Sequence, residues 1–308
     1  MNNKINFLIL GKITNSKNLL KLVRSLNKNP NIEQIYLSTW YEDIINYPVL
    51  NKILEKLDVC LIINRTPVFK DNLYYQMKSF ENGLESIVNK DLKIFKFRAD
   101  MQIENVAINK IINYDFSKQN KKIFKQKIWI PFYEISKPFY LSDECFYCCY
   151  EDALKLFNYE DKYREYKLSV GQAHIRRFVH PYLKKIPELE FFVKKFNFIG
   201  LGNDKRFEIF KNLLADKDFE IYFDFYLKIL DSDFRIGINN NSTYLKHRVY
   251  SDGTFRPPVD QINKVMNQKN TILPGKQIFS YDEKLLNHWF SERGLRNKKN
   301  LLISNLLN

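Results

Sequence analysis

Apolar positions fall in short blocks whose spacing changes from block to block. Ile5 to Leu10 is an almost unbroken apolar run that ends in Gly11, the pattern of a strand covered on both faces. Leu19 to Leu26 recurs at helical spacing after a cap at Asn15 or Ser16. A second strand is expected at Ile35 to Ser38, a helix at Val49 to Leu57 and a third strand at Val59 to Ile63. Over 72–87, Leu73, Met77, Phe80, Leu84 and Ile87 form one buried stripe, and Asn72, Gln76, Ser79 and Gly83 form a polar, small-residue stripe beside it. Strands alternating with helices predict an α/β chain with a mostly parallel sheet flanked by helices.

The last block of this series breaks the pattern. In Lys93 to Asp100, period two places Phe95, Phe97 and Ala99 on one side and Lys96, Arg98 and Asp100 on the other. A strand covered on both faces reads as continuously apolar, so this one is either an edge strand with one face in water or the wall of a polar cleft. Two cations followed by a carboxylate at a strand's carboxyl end suit phosphate and a divalent metal. The amide stripe with Gly83 implies a polar neighbour or a close approach, because a glycine inside a helix costs about 1 kcal/mol relative to alanine.

Farther on, Ile128 to Ile130 and Phe139 to Leu141 read as strands, the latter running into Ser142-Asp143, and Glu151 and Asp152 open a helix through Phe157. From about 160 the chain becomes aromatic-rich and helical, with turns at Ser251-Asp252-Gly253 and Pro257-Pro258. The expected organisation is therefore an α/β domain over 1–160 and a helix-rich region over 161–308.

In a parallel sheet, ligands bind outside the carboxyl ends of the strands. Gly11-Lys12, Ser38-Thr39-Trp40, Asn64-Arg65 and Asp100 are expected there. Thr39-x-x-Glu42 also fits a capping box, a structural role that needs no ligand. Trp40, read as an exposed indole after a strand, is placed to stack on a nucleobase or to pack.

The chain has 308 residues, 45% of them hydrophobic, enough for a substantial core. A net charge of +14 attracts anions of every kind, and it concentrates at Lys118, Lys121, Lys122, Lys125 and Lys127 and at Arg293, Arg296, Lys298 and Lys299. The second cluster precedes Leu301-Leu302-Ile303, a candidate interfacial helix at an anionic membrane surface or a solvated terminus. No run is long enough to span a membrane, so the expectation is a cytoplasmic protein, with peripheral contact at the inner face of the membrane as an option. Cys145, Cys148 and Cys149 cluster without a second pair, and His174 and His180 lie well beyond them, so free thiols are expected rather than zinc.

On these residues the N-terminal half resembles the WavE-like family of bacterial polysaccharide-synthesis proteins, glycosyltransferases of GT-A type. The resemblance rests on Leu8-Ile9-Leu10-Gly11-Lys12-Ile13, on Ser38-Thr39-Trp40, on Asn72, Gln76 and Gly83-Leu84, and on Lys96-Phe97-Arg98-Ala99-Asp100. Ser142-Asp143 adds a weaker likeness. The chain departs from the pattern at Gly11-Lys12, where the family has Gly-Pro, and at Ala173-His174-Ile175, where it has a glutamate.

The resemblance implies a GT-A-like fold and transfer from a nucleotide-sugar donor to a glycan or lipid-linked glycan, in lipopolysaccharide or capsule biosynthesis. It also implies a manganese or magnesium ion on Asp100, with Lys96 and Arg98 against the donor's phosphates. Asp143 and then His174 are the candidate bases for the acceptor hydroxyl. Gly11, Ser38, Thr39, Trp40, Asn64, Asn72 and Gln76 would line the donor site. The rivals are a basic nucleic-acid-binding protein, for which no recognition motif appears, and a nucleotidyltransferase, which usually needs two or more metal-binding carboxylates.

Overall fold

The computed structural model describes residues 4–65, 72–118, 123–130, 139, 144–156, 179–183, 189, 226, 229, 232–236 and 245–246, with the side chains of 72–74, 236 and 245–246 outside that set. Two compact units divide the chain. The first comprises Met1–Ser117, Glu144–Glu160 and Thr243–Pro258, and the second Lys118–Asp143, Asp161–Ser242 and Val259–Asn308.

In the first unit the elements run β1 (Ile5–Leu10), α1 (Ser16–Leu26), β2 (Ile32–Trp40), α2 (Tyr41–Asn46), α3 (Pro48–Lys56), β3 (Val59–Asn64), α4 (Asn72–Glu85), β4 (Lys93–Arg98), β5 (Gln102–Ile103) and α5 (Asn105–Ile112). The short second-unit strand β6 (Ile128–Ile130) intervenes in the chain before the first unit resumes with β7 (Cys145–Cys148) and α6 (Tyr150–Leu156).

The expected alternation holds, with extensions. α1 starts where predicted, and the Asn15 side chain accepts from the Asn18 amide at its N-terminus. β2 is longer at both ends than its apolar centre suggested. α2 and α5 were not foreseen, α2 because it follows Trp40 with no intervening loop.

The sheet of this unit is ordered β3-β2-β1-β4-β7. β1 pairs in parallel with β2 and β4, and β2 with β3, whereas β7 lies antiparallel to β4. β4 is thus a central strand, which removes the edge-strand reading of its polar face. The step from β3 back to β4 reverses the direction set by β1-β2-β3. Because such crossovers are right-handed, α1 and α4 cover opposite faces of the sheet.

Register assigns the faces. Leu8 and Leu10 of β1 align with Tyr36 and Ser38 of β2 and with Lys96 and Arg98 of β4, and Lys96 aligns in turn with Phe146 of β7. This is the face under α4. Phe80 meets Phe146 edge-on at 5.7 Å between ring centroids, and Gly83 lies directly on Leu8 and Leu10. The other face is an aromatic core in which Phe7 and Phe95 stack at 5.0 Å and Phe116 closes on Tyr147 at 5.3 Å. Burying that face contributes strongly to the local driving force, since aromatic side chains bury large apolar areas.

In the second unit, β6 pairs in parallel with β8 (Phe234–Ile236). Lys118 and Tyr182 both donate to Asp233, and all three side chains are buried. Lys118 is therefore committed to an internal ion pair rather than adding to a surface field for anions. Phe139, where a strand was expected to begin, is a buried turn residue with φ +59°, and residues 140–141 and the C-terminal basic cluster lie outside the described residues. Among the described residues no helix is long and apolar enough to cross a membrane.

Candidate functional site

The candidate site lies at the carboxyl ends of β1 and β4, where the strand order reverses, the place at which a parallel sheet ordinarily binds its ligand. β1 exits through Gly11, whose φ of +105° only glycine adopts without strain. A Cβ built there would meet nothing within 4 Å, so conformation and not space demands the glycine. The Gly11 amide donates to the Ser38 carbonyl and the Ala99 amide to the Leu10 carbonyl, which holds both strand exits in the ladder.

Behind this exit sits a buried polar network that fixes it. Thr39 Oγ1 is 2.7 Å from Asp43 Oδ2 and 3.0 Å from the Gly11 carbonyl, and Asp43 also accepts from the Ile13 amide. Asn64 donates through Nδ2 to Ser38 Oγ at 2.9 Å and to the Thr39 carbonyl at 2.7 Å, and accepts from Asn82 Nδ2 at 2.6 Å. Ser38, Thr39 and Asn64 thus gather at one end of the sheet as expected, but the bonds described tie them to protein groups. Their observed contacts position the strand ends.

Two details correct the sequence reading here. Thr39 does not cap a helix through Glu42; it is a strand residue whose hydroxyl serves Asp43. Trp40 is not an exposed indole. It is 3% exposed and packs edge-on against Tyr75 of α4 at 4.5 Å between centroids, so packing explains it.

Asp43, Tyr75 and Asn82 are the site-forming residues that sequence reasoning missed. Asp43 stands four residues after Thr39, but the pair straddles a strand–helix junction, where helical spacing carries no signal. Tyr75 and Asn82 come from α4, far from their partners in sequence.

The polar row on β4 faces the interior beneath α4. Lys96 is only 4% exposed, with Nζ 3.4 Å from the Glu144 carbonyl and 5.9 Å from the Phe146 ring centroid. At the strand's last residue, Arg98 forks onto Asp100: Nε donates to Oδ1 at 2.9 Å and Nη2 to Oδ2 at 2.8 Å. The Asp100 side chain is 8% exposed and that of Arg98 26%, so the guanidinium is the more accessible partner. Gln76 on α4 has a buried Oε1 with no hydrogen-bond partner among the described residues. The Asn72 side chain, Asp143 and His174 lie outside the described residues, as does any base they would supply.

The donor set tests the expected divalent ion. Both oxygens of Asp100 accept from Arg98, and among the described residues no three His, Cys, Asp or Glu side chains converge. A cation there would face an already neutralised carboxylate beside a guanidinium. These residues do not fit a resident ion.

Cys60 lies in β3, while Cys145, Cys148 and Cys149 lie in β7 and at its exit, which meets the amino end of β4 because the two strands are antiparallel; all four thiols are free. Cys149 donates to Asp152 at 3.1 Å, and burial, reinforced by that bond, pushes its thiol up to about 12. Asp152 is itself fully buried in the first turn of α6 and also accepts from Lys155. This is a structural cap and not an activated nucleophile, which would need a lowered thiol pKa.

No family model and no curated protein matches the chain. Among solved structures it is similar to the 4-diphosphocytidyl-2C-methyl-D-erythritol synthase of Anaerococcus prevotii DSM 20548, at 12% identity over 58% of this chain and 84% of that one, with a TM-score of 0.35. It is also similar to the glycosyltransferase GlyE of Streptococcus pneumoniae TIGR4, at 10% identity over 94% of this chain and 64% of that one, with a TM-score of 0.39. At these scores neither likeness bears on activity or substrate.

Proposed function

We propose that this chain is a GT-A-type glycosyltransferase that takes a nucleotide-sugar donor and acts in the building of bacterial surface polysaccharide, as the WavE-like resemblance implies. The observation that carries the reading is the ionic row of buried Lys96 and partly buried Arg98 and Asp100 at the end of a central strand, at the point where the strand order reverses. A protein does not place cations inside a sheet layer for stability alone, since desolvating them costs several kcal/mol each on the order given for buried ions. A crevice that receives a diphosphate is where that cost is returned.

In the reaction an acceptor hydroxyl attacks the anomeric carbon of the sugar. The bond from that carbon to the diphosphate oxygen breaks, the nucleoside diphosphate leaves with the electron pair, and the hydroxyl proton passes to a base. Arg98 and Lys96 bear on the leaving diphosphate. The Gly11 turn brings a backbone close enough to lie against the donor, and Asp143 or His174 is the group to test as base. The acceptor in this reading is a glycan or lipid-linked glycan.

Against the rival reading of a basic nucleic-acid-binding surface, the sequence carries no nucleic-acid recognition motif. A nucleotidyltransferase would want further carboxylates converging near Asp100, and none converge among the described residues.

The test is a thermal-shift screen of uridine, cytidine and guanosine diphosphate sugars, each with manganese and with EDTA. At least one donor should raise the melting temperature. Silence from every donor in both conditions would remove the glycosyltransferase reading.

A further inference from the structure

We infer that β3 is a docking edge for a second copy of this chain, the two β3 strands pairing antiparallel about a twofold axis so that the sheets of two molecules join. This pairing is separate from whatever reaction the chain performs.

β3 is the last strand on its side of the sheet, and among the described residues no strand pairs with its outer edge. An edge strand leaves a row of unpaired N–H and C=O groups, and proteins ordinarily blunt it with a charged side chain, a proline or a bulge. Val59-Cys60-Leu61-Ile62-Ile63-Asn64 carries no charge and no proline, and its register with β2 is unbroken. Nor is the strand shut away. Cys60, Leu61 and Ile62 are half-buried and Ile63 is 47% exposed, whereas the equally apolar β1 is buried throughout.

The neighbouring ladder fixes which backbone groups look outward. The Gly11 amide donates to the Ser38 carbonyl, so Ser38 turns its backbone groups toward β1 and, by alternation, Leu37 and Thr39 turn theirs toward β3. In a parallel pair Leu37 bonds to the residues flanking Leu61, its partner in register. Cys60 and Ile62 therefore face inward, and Val59, Leu61 and Ile63 face out. In an antiparallel pair opposed residues must both face the partner strand, so a twofold axis passes at a residue rather than between two. Centred on Leu61, it sets Leu61 against Leu61 of the other copy and Val59 against Ile63. Every outward amide and carbonyl from Val59 to Ile63 is then paired.

Charge selects the same partner. Asp58 precedes the strand and Arg65 follows it; both are exposed, and neither forms an ion pair among the described residues. The antiparallel pairing brings Asp58 of each copy opposite Asn64 of the other, one residue from Arg65, so opposite charges meet at both ends. A parallel pairing would bring like to like. The helices packed on β3 add apolar surface, with Tyr41 and Ile45 one turn apart on α2 and Val49 at the start of α3 all exposed. A contact that uses the same edge in both copies closes at two.

The experiment is sedimentation velocity of the full chain in reducing buffer over roughly 1–100 μM, with circular dichroism of each variant as a check on folding. The wild type should form a dimer within that range. Ile63→Pro removes an outward N–H that the chain's own ladder does not use, so it should keep the wild-type spectrum and stay monomeric. Arg65→Glu, at an exposed position, should weaken the dimer by about tenfold or more, because two carboxylates then meet at each end.

A third variant reads the register. In the pairing centred on Leu61, position 62 opposes Cys60 of the other copy in a non-hydrogen-bonded pair, about 4.5 Å between Cα atoms, which is within disulfide reach. Under oxidised glutathione Ile62→Cys should run as a covalent dimer on non-reducing electrophoresis, far more than the wild type. A wild type that is monomeric over the whole range, or a dimer indifferent to both Ile63→Pro and Arg65→Glu, overturns the inference. Failure of Ile62→Cys to cross-link overturns the antiparallel register even where a dimer forms.

Discussion

Gly83 of α4 rests on Leu8 of β1 so closely that a Cβ added to the glycine would come within 2.8 Å of Leu8 Cδ1. Leu10 Cδ2 would be 3.3 Å away. Leu8 is completely buried and cannot swing into open space. Alanine at this position gains about 1 kcal/mol of helix propensity but overpacks the interface by about 1–3 kcal/mol. Gly83→Ala should therefore lower stability by about 1 kcal/mol in urea denaturation, and Gly83→Leu should cost well beyond that. A stabilised Gly83→Ala variant would show that α4 does not press on β1 as described.

The Thr39–Asp43–Ile13 contacts give a second expectation. Asp43 is buried with two donors, the Thr39 hydroxyl and the Ile13 amide, and hydrogen bonds to charged groups are worth about 1.5–3 kcal/mol each. Asp43→Ala should cost about 3 kcal/mol or more, and Thr39→Val about half of that, both read from chemical denaturation. Because the Gly11 carbonyl contacts the same hydroxyl, both variants should also increase amide exchange at Gly11 and Ile13.

Asn64 supplies a test with a pH signature. Its Nδ2 donates to two oxygens, so Asn64→Asp would set a carboxylate against the Thr39 carbonyl and the Ser38 hydroxyl oxygen. The new acid would have a raised pKa in the folded state, because burial and facing oxygens both disfavour its charge. Stability relative to the wild type should be best retained below the ordinary carboxylate pKa and should fall as pH rises through the higher, folded-state value. A variant whose deficit does not change with pH would mean that the Asn64 site is open to water.

Cys149 should be a poor nucleophile. Its thiol is raised from about 9 to about 12, so alkylation by iodoacetamide at pH 8 should be much slower than for a free cysteine, and Asp152→Asn should change that rate. The sign for stability follows from the protonated thiol being the form the fold favours. The contribution is complete below about pH 9 and is lost as pH rises toward about 12. Rapid modification of Cys149 at neutral pH would contradict the cap.

The local pattern carried much of the first unit. Continuous apolarity in Ile5 to Leu10, the Asn15 cap and the alternation in Lys93 to Arg98 each depend on residues within a turn or two of one another, where period and capping chemistry act directly. The same alternation placed Lys96, Arg98 and Asp100 on one side. It could not say whether Arg98 would turn to a ligand or to Asp100, because period fixes the side of a strand and not the partner.

What the sequence settled by itself was therefore the β1, α1, β2, α3, β3, α4 and β4 elements and the face of β4 on which its polar residues stand, since both are properties of neighbouring backbone units. Tertiary structure alone decided that β4 is central, that Trp40 is shut behind Tyr75, and that Asn64 meets Asn82 and Ser38. Those outcomes depend on strand order, register and helix docking between segments many residues apart, and they are set by burying the aromatic face and the α4 stripe at once.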